Sequence, residues 1–491
     1  MRFQVFKKGK IVDSFVLSGA YMFGSDGTSL RKVEISFSEG TIHCERSSRD
    51  TAALALLWEV QGFGRIMLPT TCLPERERPY CLNLEIVRAR LMQTLSRRED
   101  WALFDETVEL EDIWQQALDL FVKAVQRNHD PEEASLLADQ SLRKAVIFSE
   151  KMAITQADNL FKARKSSRGF NRACLGTHVH TPSLDHKMYV EGVAGISDFA
   201  VIDINWAHIE KAPEEYDFSE VDRCVDVLTA KKMLFMAGPL LHFHKDSLPP
   251  WLFEGRPGFE DIRDAAYRFV SEVVARYRRR ISRWIVVSGL NAWNYCAFSV
   301  EQILEMTRSA NMAVKAVHPR GIRVIEVANL WGEYHGVLPN SVSPVAYMDM
   351  VIQSGVTFDA FALQVKFGRN ETGLHVRDML QVTSLLDYLS LLGKPLYITQ
   401  VQIPSESGAG DCDEKVAGVW HKTWDPKRQA LWLDQFYRIA MSKPMVDGVV
   451  YGNLADHSAS LIQHSGVLTE AFKPKDAYRV IRRFREFIHS K

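Results

Sequence analysis

Residues 284–288 read Trp-Ile-Val-Val-Ser, residues 300–317 read Val-Glu-Gln-Ile-Leu-Glu-Met-Thr-Arg-Ser-Ala-Asn-Met-Ala-Val-Lys-Ala-Val, and residues 323–328 read Arg-Val-Ile-Glu-Val-Ala. A short apolar run, a longer stretch with helical spacing and a second apolar run describe a strand, a crossover helix and a parallel strand. The same alternation extends in both directions. Strands are expected at Ala173–His178, Phe199–Ile204, Leu234–Leu241, Trp284–Ser288, Arg323–Ala328, Ala360–Val365, Pro395–Val401 and Gly448–Tyr451. Helices are expected between them, among them Phe259–Arg278, Val300–Val317 and Lys427–Met441. Eight such strands read as an α/β fold of the (β/α)8, or TIM, barrel type. An open doubly wound sheet is the alternative, but no strand is followed by a glycine-rich phosphate loop.

Upstream the pattern changes. Val33, Ile35 and Phe37 alternate, Ser38-Glu39-Gly40 turns, and Ile42 resumes. Leu54 to Val60 and Ile66 to Leu68 flank the turn Gly62-Phe63-Gly64, and Leu82, Leu84 and Ile86 alternate again. Period-two runs between glycine turns predict an antiparallel β-sandwich over residues 1–102, an accessory domain whose role, sugar binding or packing on its neighbour, stays open. Residues 103–168 read as a helical strut, with Ile113, Ala117, Phe121 and Ala124 on one stripe. A second helix opens at Asp130-Pro131-Glu132-Glu133, with a capping Asp, Pro at the first position and acids in the first turn. Residues 169–491 form the barrel.

The 491 residues are 46% hydrophobic and 25% charged, with a net charge of −1. That composition is globular and gives neither a basic field for nucleic acid nor a polybasic membrane anchor. No stretch approaches the roughly 20 apolar residues of a membrane span. The start, Met-Arg-Phe-Gln-Val-Phe-Lys-Lys, lacks an apolar secretion core. The seven cysteines are scattered and form no CxxC pair, so reduced thiols in a cytoplasmic chain are expected.

Chemistry in such barrels lies at the carboxyl ends of the strands. Here those ends carry His178 and His180, then Asp203, Asn205 and Trp206, then His242 and His244, then Ser288, Gly289 and Asn291. The fifth leads to Asn329, the sixth gives Gln364 and Lys366, the seventh Gln400 and Gln402, and the eighth Tyr451 and Asp456. Trp206, Phe243, Trp251, Trp293, Trp331 and Phe367 add aromatic surface, and about half of these rings are expected to face the pocket rather than pack the helices. Aromatic faces with amide and imidazole groups suit a polyhydroxylated ligand.

These residues carry a resemblance. Asn205-Trp206 with Glu210 and Tyr216-Asp217-Phe218 looks like the second-strand stretch of glycoside hydrolase family 10, the xylanase family. Gly238-Pro239-Leu240-Leu241-His242-Phe243-His244, followed by Pro250-Trp251-Leu252, is similar to the family's G-H-P-L-x-W-H and P-x-W-L stretch. Ile281 to Gly289 resembles I-x-x-W-D-V-V-N-E, Phe358 to Gln364 resembles I-D-G-I-G-x-Q, and Pro395 to Gln402 resembles P-x-x-I-T-E-L-D. Lys473-Pro474-Lys475-Asp476-Ala477-Tyr478 matches the region before the last helix.

The resemblance implies a retaining glycosidase barrel, which needs two carboxyl groups about 5 Å apart. It places the acid/base on Gly289 and the nucleophile on Gln400, neither of which can serve. Ser288, Asn205 and Lys366 stand where the family has Asn, Lys and His. The retained group, His244 or His242 with Gln364 and Trp206, is the one that holds sugar hydroxyls in the family. Expected saccharide contacts are therefore Asn205, Trp206, His242, His244, Asn291, Gln364, Lys366, Gln400, Gln402 and Tyr451.

Three functions follow. The first is a xylanase-like barrel that binds an oligo- or polysaccharide without the family's double displacement. The second is an enzyme with relocated machinery, its candidate carboxylates Asp203, Asp246, Glu333, Glu406 and Asp456, or a metal held by the pairs His178-x-His180 and His242-x-His244. The later strands offer no matching His-and-Asp set apart from Asp456, so neither a metal nor another cofactor is expected. The third is an assembly protein reusing the barrel, since near-zero charge permits self-association.

Overall fold

The computed structural model of the chain describes residues 1–101 and 108–490. The expected boundary between residues 102 and 103 falls outside them. Eight parallel strands close a barrel: Leu175–His178, Phe199–Ile202, Leu234–Ala237 continued by Leu241–His242, Arg283–Ser288, Ile322–Val327, Ala360–Lys366, Leu396–Gln402 and Val446–Tyr451. Each pairs with the next in sequence, and the eighth pairs with the first. The third strand, expected unbroken to Leu241, divides at Gly238-Pro239. Pro239 has no N–H to give the ladder, and a Cβ at Gly238 would lie 2.3 Å from the Ile285 carbonyl oxygen.

Alternate residues of these strands point inward. Phe199, Val201, Met236, Ile285, Val324, Ala360, Ala362, Tyr397 and Val450 fill the barrel as one buried apolar cluster. That plug leaves room for polar chemistry only above it, at the carboxyl ends of the strands.

The first 101 residues form strands of two four-stranded sheets, a two-stranded hairpin of Phe6–Lys7 and Lys10–Ile11, and a helix. One sheet orders Glu34–Ser38, Thr41–Glu45, Arg2–Gln4 and Tyr80–Cys81, the last pair parallel and the others antiparallel. The other orders Tyr21–Phe23, Ala53–Val60, Gly64–Pro69 and Val419–Trp420, so a barrel loop supplies its edge strand. The expected strand at Leu82, Leu84 and Ile86 is instead the start of a helix, Leu82–Asp100. The polar Asn83 and Glu85 that make the alternation are buried in this helix, Asn83 holding the Phe6 backbone and Asp139, so they mark no solvent face of a strand.

Two further helices, Val108–Gln126 and Pro131–Ser166, complete the strut. Asp130 caps the second, accepting from the Glu133 amide at 3.2 Å. This helix packs on Leu82–Asp100 and Val108–Gln126 and on the barrel helices Met379–Ser390 and Pro426–Ser442. Its Glu150 accepts hydrogen bonds from the Trp420 indole at 2.8 Å and pairs with His421 at 2.7 Å. The described cysteines are all unpaired. No helix among the described residues is long and apolar enough to cross a membrane.

Candidate functional site

The mouth is built by continuing the inward-facing positions one step beyond the apolar plug. Glu326 follows Val324, Gln364 and Lys366 follow Ala362, and Thr399 follows Tyr397. Glu326 was absent from the residues expected at the site, yet it is the central group. Its buried carboxylate accepts hydrogen bonds from the Ser288 hydroxyl, from the Thr399 hydroxyl and from Gln364 Nε2 at 2.7 Å. The ladder makes this possible: Ser288 lies opposite Glu326, and pairing skips Thr399 between Ile398 and Gln400, a bulge that turns its hydroxyl inward. A buried carboxylate with three donors is fully solvated by protein.

His178 stands beside this group. Its Nδ1 lies 2.9 Å from Asp203 Oδ1 and its Nε2 lies 3.0 Å from the Thr399 carbonyl oxygen. Both partners are acceptors, so both ring nitrogens donate and the ring is an imidazolium. Burial works against that charge, but Asp203, Glu326 and the Thr399 carbonyl outweigh it and raise the pKa above the ordinary histidine value. His180 turns elsewhere, stacking on His457 with ring centroids 4.3 Å apart.

On the other side lies a second cluster. Lys366 is 7% exposed, and its Nζ sits 5.9 Å from the centre of the Trp293 ring. Burial lowers its affinity for protons, opposed by the charges of Glu326 and Glu371. His242 stands edge-on to the same indole at 5.0 Å, with Nδ1 3.0 Å from the Ser247 hydroxyl. Burial, with His244 and Lys366 nearby, pushes its pKa down to about 4, so the ring is neutral.

The two positions where the resemblance needs carboxylates have different surroundings. Gly289 has φ +60°, and a Cβ built there would lie 2.2 Å from Cε3 of Trp293. A turn brings the indole over the glycine, with the Trp293 amide donating to the Gly289 carbonyl at 2.8 Å. Gln400 lies opposite Gln364 on the neighbouring strand and is partly exposed.

The relocated carboxylates do not form a set. Asp203 pairs with His178, Asp246 with His244, Glu333 with Arg377, Glu406 with His464 and Asp456 with Lys475. Asp246 and Glu406 are exposed, whereas Glu333 is buried in its ion pair with Arg377. Several expected saccharide contacts also prove to be internal. Trp206 is buried, donates to Glu210 at 2.6 Å and stacks on Phe269, because a helical turn starting at this residue drives its ring into the barrel wall. Asn205 is partly exposed, and its Oδ1 caps that turn, accepting from the His208 amide at 3.2 Å. Asn291 is buried and donates to the Ala328 carbonyl at 3.0 Å, bracing the loops after the fourth and fifth strands. The Tyr451 hydroxyl donates to the Ser465 carbonyl at 2.6 Å.

His242, Gln364, Lys366, Gln400 and Gln402 remain at or near the mouth, while His244 lies at its exposed edge. Of the rings, Trp251, Trp293 and Trp331 are partly exposed, and Phe243 and Phe367 are core. Among the described residues no three His, Cys, Asp or Glu side chains are grouped to hold a metal ion.

The class is thus a closed (β/α)8 barrel with a polar mouth beside the Trp293 indole. Comparison adds the kinship: residues 200–314 match the model of glycosyl hydrolase family 10, and the barrel is a distant relative of that family. Endo-1,4-beta-xylanase 3 of Arabidopsis thaliana is 19% identical over 319 residues, 63% of this chain and 38% of that protein, so the match spans well under half of that relative. A family 10 endoxylanase from a sugarcane soil metagenome superposes with a TM-score of 0.51 at 14% identity, over 67% of this chain and 99% of its own. An intracellular xylanase of Thermoanaerobacterium saccharolyticum, solved with xylotetraose, gives 0.50 at 15% identity, over 66% of this chain and 97% of its own. At those identities the superpositions establish the fold.

Proposed function

We propose that the barrel mouth binds a saccharide chain and does not perform the two-carboxylate retaining hydrolysis of family 10. The observation that carries this reading is at Gly289. The position of the acid/base has no side chain, and the space a side chain would enter holds the Trp293 ring. With glutamine at position 400, neither proton donor nor nucleophile is in place. The partly exposed tryptophans, Gln364, Lys366 and His242 supply stacking faces and polar groups for a sugar, and a structural relative binds xylotetraose. The three-part division of the chain belongs to this reading, with the N-terminal sheets as the accessory part.

Calorimetry of the full chain with xylotetraose and other oligosaccharides tests it. Saturable binding is expected, together with no release of reducing sugar from xylan above background. A folded sample that binds no saccharide overturns the binding function, and steady hydrolysis overturns the loss of chemistry. A second reading, relocated chemistry, is favoured by one observation: the Glu326 and Asp203 carboxylates flank His178. Hydrolysis abolished by Asp203→Asn or Glu326→Gln would establish it.

A further inference from the structure

We infer that the saccharide taken at this mouth carries a carboxylate, and that Lys366 is the group that holds it; the inference rests on the saccharide-binding reading above. Lys366 ends the sixth barrel strand, buried to 7% exposure. Among the described residues its Nζ has neither a hydrogen-bond partner nor an ion pair, and it lies over the Trp293 ring, 5.9 Å from the centre. A largely buried ammonium without a direct partner is costly for a fold to carry, and a ligand anion at the solvent-touching side of the amine offsets that cost.

Two neighbouring polar atoms are likewise unpartnered and, unlike the Lys366 amine, are shut off from solvent. Gln364 is 6% exposed; its Nε2 is held by Glu326, which fixes the amide orientation and leaves Oε1 with no donor. His242 engages Ser247 through Nδ1 and leaves Nε2 without a partner. The geometry joins these groups. His242 lies opposite Ser288 in the ladder, Ser288 lies within 3.4 Å of Gln364 Nε2, and Gln364 and Lys366 share the inward face of one strand. His242 and Lys366 both flank Trp293. An amine, an amide oxygen, an imidazole nitrogen and an indole face therefore converge, which matches a carboxylate, ring hydroxyls and a sugar CH face.

The charge balance of the mouth agrees. The two carboxylates that the resemblance calls for, which would repel an acidic sugar, are replaced by Gly289 and Gln400, and Gln402 is a further amide. Of the acids acting on Lys366, Glu326 is saturated by three donors and Glu371 is hydrogen-bonded by Arg369 at 3.2 Å. Neither reaches the ammonium directly.

The test is calorimetry of the full chain with xylotetraose, with the same oligosaccharide bearing one glucuronic acid, and with trigalacturonate. An acidic ligand is expected to bind about tenfold or more tighter than xylotetraose, the value of one charge-assisted contact. Lys366→Met is expected to reduce that ratio to within about twofold; Lys366→Gln serves if the methionine variant does not fold. Xylotetraose binding as tightly as both acidic ligands overturns the inference and leaves the saccharide reading standing. Binding of none of the three overturns both. An acid preference that persists in the Lys366 variants overturns the assignment to Lys366.

Discussion

Glu326 is the residue on which the barrel mouth turns. It lies inside the apolar run Val324-Ile325-Glu326-Val327, so a search of strand ends passes over it. The signal that would have found it is period two counted from the plug: Val324 faces inward, and so must Glu326. Glu326→Ala leaves the Ser288 and Thr399 hydroxyls and the Gln364 amide without their acceptor, and is expected to destabilise the fold by roughly 3 kcal/mol or more in urea denaturation. Glu326→Gln keeps the shape and is expected to cost about 1–2 kcal/mol. Gly289 gives a second prediction at this scale. With φ +60° and the Trp293 ring 2.2 Å from an added Cβ, Gly289→Ala is expected to destabilise by roughly 2–4 kcal/mol. For the same reason Gly289→Glu with Gln400→Glu is not expected to yield xylan hydrolysis; reducing-sugar release by that double variant would show that the indole gives way.

At the scale of elements, the barrel was legible because its strands are buried on both faces and its helices are not. Val300–Val317 and the strands around it come within a residue or two of the pattern that predicted them. The strand ends were less legible as chemistry, since Asn205, Asn291 and Tyr451 look identical in sequence whether they meet a ligand or brace a loop. What divides them is whether a backbone amide or carbonyl of the same or a neighbouring loop lies within reach, and that is set by the fold. The long helix Pro131–Ser166 shows the converse. Its cap was readable, but its attachment was not: the Arg164 guanidinium donates to the carbonyls of Met441 at 3.1 Å and Lys443 at 2.6 Å, just before the eighth strand, and of Val446 at 3.0 Å, its first residue. Arg164→Ala orphans these carbonyls and is expected to lower stability by roughly 2–3 kcal/mol in urea denaturation. A change below about 0.5 kcal/mol would show that water replaces the guanidinium.

At the scale of the whole molecule, the N-terminal sheets and the barrel share one seam. The Ser29 hydroxyl donates to the Glu333 carbonyl at 3.3 Å, and the Arg31 guanidinium donates to the His335 carbonyl at 3.2 Å and the Ser341 carbonyl at 3.0 Å. Tyr21 lies against Arg377, which pairs with Glu333 beneath Trp331. His375 is wedged into the same seam, 2% exposed, its ring beside Gly19 and its Nε2 3.2 Å from Asn370 Oδ1. Burial, then the charge of Arg377, pushes its pKa down to about 4. The unfolded chain protonates this ring near pH 6.5, so below that pH the unfolded state binds a proton that the folded state refuses. Stability from His375 is therefore complete above about pH 6.5 and is lost progressively as pH falls toward 4. The full loss is about 3 kcal/mol near pH 4. His375→Gln keeps a polar group opposite Asn370 but cannot take up the proton. The gap between the stabilities of the native chain and the variant, measured by urea denaturation at steps from pH 7 to pH 4, is expected to shift in favour of the variant by about that amount. Parallel pH profiles would show that the seam opens before His375 is charged, and would place the acid-sensitive step elsewhere in the molecule.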